Sequence, residues 1–145
     1  MGFRWSEFEE VAKKLENIAE GDIEWKEGAL RSAIGRLYYA AFNQVREWAI
    51  RRGFRDPRSG AVHGNLRDFV AKEGYRDIAK LLKVLHDSRK NVDYSMVLDK
   101  DSDLMLKEAK RNYELIVKWL GSLSENMLES EEGLDSFVAA GDIPA

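Results

Sequence analysis

Cysteine is absent from this 145-residue chain, so disulfides and thiolate metal sites are excluded from the outset. Histidine occurs only twice, as His63 and His86, and neither has a His or carboxylate four residues on to complete a helical ligand pair. A catalytic zinc site lacks its ligands. Proline is almost as rare: Pro57 and Pro144 both fall outside the periodic segments, so nothing interrupts long helices. No apolar run reaches membrane-spanning length, and Met1-Gly2-Phe3-Arg4-Trp5-Ser6 lacks the apolar core of a signal peptide. The expectation is a cytoplasmic protein without a membrane association. Gly-rich phosphate loops, nucleophile elbows and zinc-knuckle spacings are missing too, which removes the familiar metabolic enzymes and leaves no cofactor implied.

What remains is an ordinary globular composition, 44% hydrophobic and 34% charged, in a length that suits one domain. The formal charge of -3 hides an asymmetry. Residues 129–145 hold Glu129, Glu131, Glu132, Asp135 and Asp142 and no base. Taking those five from 26 acids leaves 21 against 23 bases, so residues 1–128 carry about two positive charges. Residues 129–145 read as a solvated, mobile acidic tail. The alternative docks it on a basic patch through Phe137, Val138 and Ile143.

The hydrophobic period is helical throughout residues 1–128, predicting an all-α, up-and-down bundle of four to five helices. The first helix is expected over 4–20, with Trp5, Phe8, Ala12, Leu15, Ile18 and Ala19 on one face and a Ser6/Glu9 capping box. The second, about 25–52, turns Leu30, Ile34, Tyr38, Ala41, Val45, Trp48 and Ala49 inward. A third runs from about 62 to 73 with Val62, Leu66, Phe69 and Val70 inside, and a fourth from about 75 to 91. Asp101, Ser102 and Asp103 are placed to cap a fifth, whose stripe is Met105, Ala109, Tyr113, Ile116, Leu120, Leu123 and Met127.

One position breaks the pattern. Ile78, Leu81, Leu82 and Leu85 define an apolar stripe whose next members are Ser88 or Arg89, then Val92. Arg89 therefore points at the core, a cleft or a partner, and a guanidinium there needs an anion. Asp93, one turn on, is the nearest candidate; a partner's carboxylate or a phosphate are the others. An Arg–carboxylate pair of this kind orients a helix in the structural reading and marks a nucleotide or RNA site in the functional one. In the second helix, Arg36, Tyr39 and Asn43 share a surface while Tyr38 turns inward. That surface is either amphipathic core packing or the wall of a cleft that Arg89 also reaches. His63 reads as a local cap or as a group fixing Arg89, Asp93 or an anion, and His86 as packing or a hydrogen bond. Arg46, Arg51, Arg52, Arg55 and Arg58 form a basic run, solvated or available to phosphate.

Arg36-Leu37-Tyr38-Tyr39-Ala40-Ala41-Phe42 on a long second helix resembles the signature of HEPN-domain proteins. His63 followed by Phe69, and then Arg89-x-x-Val92-Asp93-Tyr94, resemble that family's later landmarks in the same order, across about residues 5–125. The resemblance implies a HEPN-like helical homodimer. It also implies a link to small nucleotidyltransferase partner proteins in toxin–antitoxin-like pairs, and binding of nucleotide or RNA. The candidate ligand-binding residues are then Arg36, Tyr39, His63, Arg89, Asp93 and Tyr94. Ribonuclease members of the family use Arg, four to six residues, then His, without metal. Here no His follows Arg89 within that span, and Tyr94 stands five positions on. Tyrosine titrates near pH 10, far from the range where imidazole shuttles protons. A metal-independent endoribonuclease using Arg89 with Tyr94 or His63 is therefore the alternative, and a dimerisation scaffold the third reading. Arg58 and His63 also meet the spacing, but across the Pro/Gly loop.

Overall fold

A computed structural model describes residues 2–21, 24–98 and 100–133, with side chains as far as Leu123. Five helices follow one another: α1 (Glu7–Gly21), α2 (Lys26–Arg51), α3 (Val62–Lys72), α4 (Arg76–Tyr94) and α5 (Ser102–Gly133). No strand occurs among the described residues. The molecule is an all-α bundle.

α2 is the hub. It packs against each of the other four helices, which is why apolar and small residues fall all round it rather than on a single stripe. Ala33, Ile34, Ala40, Ala41, Val45 and Ala49 are wholly enclosed. The expected inward set of α2 is buried throughout. α3 touches only α2 and α4 among the described residues. Contacts between α2 and α4 run Arg31 to Val92, Gly35 to Arg89 and Tyr38 to His86, the register of an antiparallel pair.

Two glycines set the ends of α2 and α3. Gly53 and Gly74 both have φ of 103°, a left-handed conformation that costs glycine nothing. Beyond each, an amide reaches back into the helix, Phe54 to Ala49 and Tyr75 to Val70, and the ring that follows is buried.

Several details differ from the expectations. α1 starts at Glu7 after a turn closed by backbone bonds and by the Arg4 amide to the Glu7 carboxylate at 3.2 Å. Ile18 lies on its outer side and is exposed. Ser102 opens α5, but its hydroxyl donates to Glu27 of α2 at 2.6 Å, locking two helix starts together. α4 continues to Tyr94, three residues beyond the expected end, because Arg31 of α2 satisfies the carbonyls left over there. Its guanidinium bonds the oxygens of Val92, Ser95 and Met96 at 3.0, 2.5 and 3.2 Å. α5 runs to Gly133, through the expected boundary at 128; residues 134–145, and the side chain of Met127, lie outside the described residues. No described helix is long and apolar enough to cross a membrane.

Candidate functional site

The longer α4 makes Arg89 and Asp93 neighbours on one helical face. Arg89 Nε lies 2.9 Å from Asp93 Oδ2, with side-chain exposures of 20% and 37%. Despite that distance, Nε, sealed from solvent, has no hydrogen-bond partner among the described residues. The two observations agree if the contact is one of charge alone, the N–H being directed away from the carboxylate. The guanidinium lies 5.1 Å from the centre of the Tyr39 ring and 5.9 Å from that of Tyr94. Its stem crosses Gly35 of α2, where an added Cβ would meet Arg89 Cγ at 3.9 Å. Alanine fits there; a larger side chain would push Arg89 aside.

Tyr39 is shared. The Arg36 guanidinium sits 5.3 Å from the same ring and 4.8 Å from Phe8 of α1. Arg36, Tyr39, Arg89, Asp93 and Tyr94 thus form one continuous surface, with Tyr94 at its outer edge, 76% exposed. Asn43 does not join it: buried, it donates to the Tyr39 carbonyl at 3.0 Å.

His63 approaches from α3 and contacts neither Arg89 nor Asp93 by hydrogen bond; its Nδ1 lies 2.5 Å from the Tyr38 hydroxyl. Its ring stacks on His86 of α4, centroids 4.5 Å apart and planes 17° apart, and His86 stacks on Tyr38 at 4.9 Å and 14°. Arg67, one turn beyond His63 on α3, places Nη1 3.1 Å from His86 Nδ1. Guanidinium only donates, so His86 Nδ1 is the acceptor and its proton is on Nε2.

Burial pushes the His86 imidazole down to about 4, with His63, Arg67 and Lys90 adding to the effect and Asp87 opposing it. Burial likewise lowers His63 below its ordinary value, reinforced by Arg67, Arg89 and Lys90. Burial raises the Tyr38 phenol well above its usual range, so its proton is firmly held. Two neutral imidazoles therefore stand in a field of three cations. Chemically, such a surface suits an anion, with N–H donors at fixed positions and one or two groups able to take a proton.

Arg67, Tyr38 and His86 are the members that sequence spacing did not reveal. His63 and Arg67 do share a face at i and i+4, but the two histidines lie on separate helices with no periodic link. Arg58, by contrast, is exposed in the loop before α3, its amide bonded to Asp56. Among the described residues no three His, Asp or Glu side chains converge as metal ligands. A groove of about 590 Å³ exists elsewhere, between α1, α2 and α5. Its charges include the pairs Lys110–Glu16 at 3.0 Å and Lys26–Asp103 at 3.3 Å, so its volume outweighs its chemistry.

Comparison of the chain with protein-family models, with curated proteins and with solved structures finds no match.

Proposed function

We propose that this bundle is a HEPN-like nucleotide- or RNA-binding domain that takes the phosphate at the α2–α3–α4 face. The observation that carries the reading is Arg89: its side chain 20% exposed, its guanidinium beside Tyr39 and met by Asp93 through charge alone, with no hydrogen bond between them. Such a group gains more from a phosphate oxygen than a fully paired arginine would. Arg67 and Lys90 act on His63 together with Arg89, and exposed Tyr94 offers a ring against which a base can stack. The domain acts as a homodimer, beside a nucleotidyltransferase partner in a toxin–antitoxin-like pair, as the family resemblance implies.

Fluorescence anisotropy with a labelled single-stranded RNA tests the binding claim. Arg89→Ala is expected to weaken binding at least tenfold while the helical circular-dichroism signal persists. Equal affinity for both proteins sinks it.

The neutral state of His63 beside three cations supports a second reading, a metal-independent endoribonuclease. In it, Arg89 stabilises charge on the phosphate and His63 supplies the imidazole missing after Arg89. Cleavage of RNA in chelator that disappears in both Arg89→Ala and His63→Ala supports this reading; intact RNA leaves the binding module.

A further inference from the structure

The rings of Tyr38, His63 and His86 form a triangle, with centroid separations of 4.9, 4.5 and 5.7 Å. The directions of its hydrogen bonds can be assigned. Arg67 donates to His86 Nδ1, as above. The Tyr38 hydroxyl has no other acceptor among the described residues, so it donates to His63 Nδ1 and leaves the His63 proton on Nε2. The two imidazoles then differ in what protonation would do. A proton on His86 Nδ1 would face the Arg67 donor and break that bond. A proton on His63 Nδ1 reverses the bond to Tyr38, whose oxygen accepts as readily as its hydroxyl donates. The reversed hydroxyl proton then needs an acceptor of its own.

We propose that an anion binding at the α2–α3–α4 face beside Arg67 and Arg89 is bound together with one proton, taken from solvent by His63, while His86 stays neutral and holds Arg67. Tyr38 is enclosed, so its hydroxyl proton is left without that acceptor, and the charge of the anion is what offsets the imidazolium. The inference rests on the phosphate-binding reading of the site and adds to it the identity of the group that titrates. The surrounding charges are consistent with coupling of this sign. From α2 the pair faces Tyr38, a phenol whose proton is firmly held; from α3 it faces Arg67; from α4 it faces Arg89 and Lys90, against Asp87 alone. Asp93, the other nearby acid, is engaged with Arg89. Without an anion the field opposes the proton; with one it does not. A second proton on His86, in a ring stacked 4.5 Å from the first, remains excluded.

Sulfate is the suitable probe, because it keeps its double charge across the pH range in which imidazole titrates. Its dissociation constant is measured by calorimetry at pH 5.5 and 7.5, in two buffers of different ionisation enthalpy. The expected result is binding at least fivefold tighter at pH 5.5, with uptake approaching one proton per sulfate. His63→Gln is expected to bind sulfate with no dependence on pH, and His86→Gln to bind more weakly with the dependence retained. The ring resonances of the unaltered protein give the same answer without substitution: sulfate shifts the His63 titration upward and leaves His86 neutral. A dissociation constant equal at the two pH values, or a dependence that survives His63→Gln, overturns the proposal. RNA binding that needs Arg89 but ignores pH leaves the binding site standing and overturns only the proton coupling. Absence of both RNA and sulfate binding overturns both.

Discussion

Arg67 Nη1 lies 3.1 Å from His86 Nδ1, a hydrogen bond that can run in one direction only. From that single constraint follow the tautomer of His86, its resistance to protonation and the orientation of an arginine on α3 toward α4. The same contact ties α3 to α4, so the geometry of the site depends on how α3 is seated by its buried Leu66 and Val70.

Acid should destabilise the protein through these histidines. The folded state holds His86 at about 4, below the 6.5 of an exposed imidazole, so below pH 6.5 the unfolded chain binds more protons than the folded one. Stability is full above about pH 6.5, declines as pH falls through the interval, and levels off near pH 4 as far as this group is concerned. Because His86 is only partly buried, solvent screening reduces the effect to roughly 1–2 kcal/mol. Urea midpoints at pH 7 and pH 4.5 for the unaltered protein and for His86→Gln check it. The variant is expected to lose less stability over that interval; an equal loss in both assigns the acid sensitivity elsewhere.

Asp93 competes with any external anion for Arg89. Asp93→Asn removes the charge contact at 2.9 Å and is expected to tighten sulfate or RNA binding about three- to tenfold. Its effect on thermal stability should be small, since a partly exposed i,i+4 ion pair contributes at most about 1 kcal/mol. Weaker binding in this variant would make Asp93 part of the ligand contact instead of its rival.

Arg31 is the structural counterpart of Arg89. Its bonds to the carbonyls of Val92, Ser95 and Met96, together with Glu27 at 2.7 Å, close the end of α4 over the start of α2. Arg31→Ala should cost about 2–3 kcal/mol, because charge-assisted bonds to part-buried carbonyls are lost and the carbonyls are left unpaired. It should also loosen the last turn of α4, which holds Asp93 and Tyr94. Hydrogen exchange of the amides from 92 to 98 is the direct measure, and protection equal to that of the unaltered protein would contradict it.

The five helices were legible because they obey period and punctuation: few prolines, glycines after α2 and α3, and apolar residues at three- and four-residue spacing. Their ends were less legible where a distant side chain decides them. Arg31 lengthens α4 from 61 residues away, and Ser102 serves Glu27 of α2, which no local capping rule detects. The site follows the same division. Arg89 stood out because it violates a stripe, and its pairing with Asp93 follows from helical spacing alone. The Tyr38–His63–His86–Arg67 cluster is assembled by three helices meeting, so its members carry no shared pattern along the chain. Tyr38 was read as core, and its ring is indeed 1% exposed, but its hydroxyl is committed to His63.

The central claim is that the face formed by α2, α3 and α4 binds phosphate through Arg89. The most direct measurement compares RNA affinity in the unaltered protein, Arg89→Ala and Arg67→Ala under one salt concentration. The expected result is binding that falls at least tenfold in each variant, with helicity and thermal midpoint largely kept in Arg89→Ala. Binding indifferent to both substitutions would contradict it and move the function of this bundle to another surface.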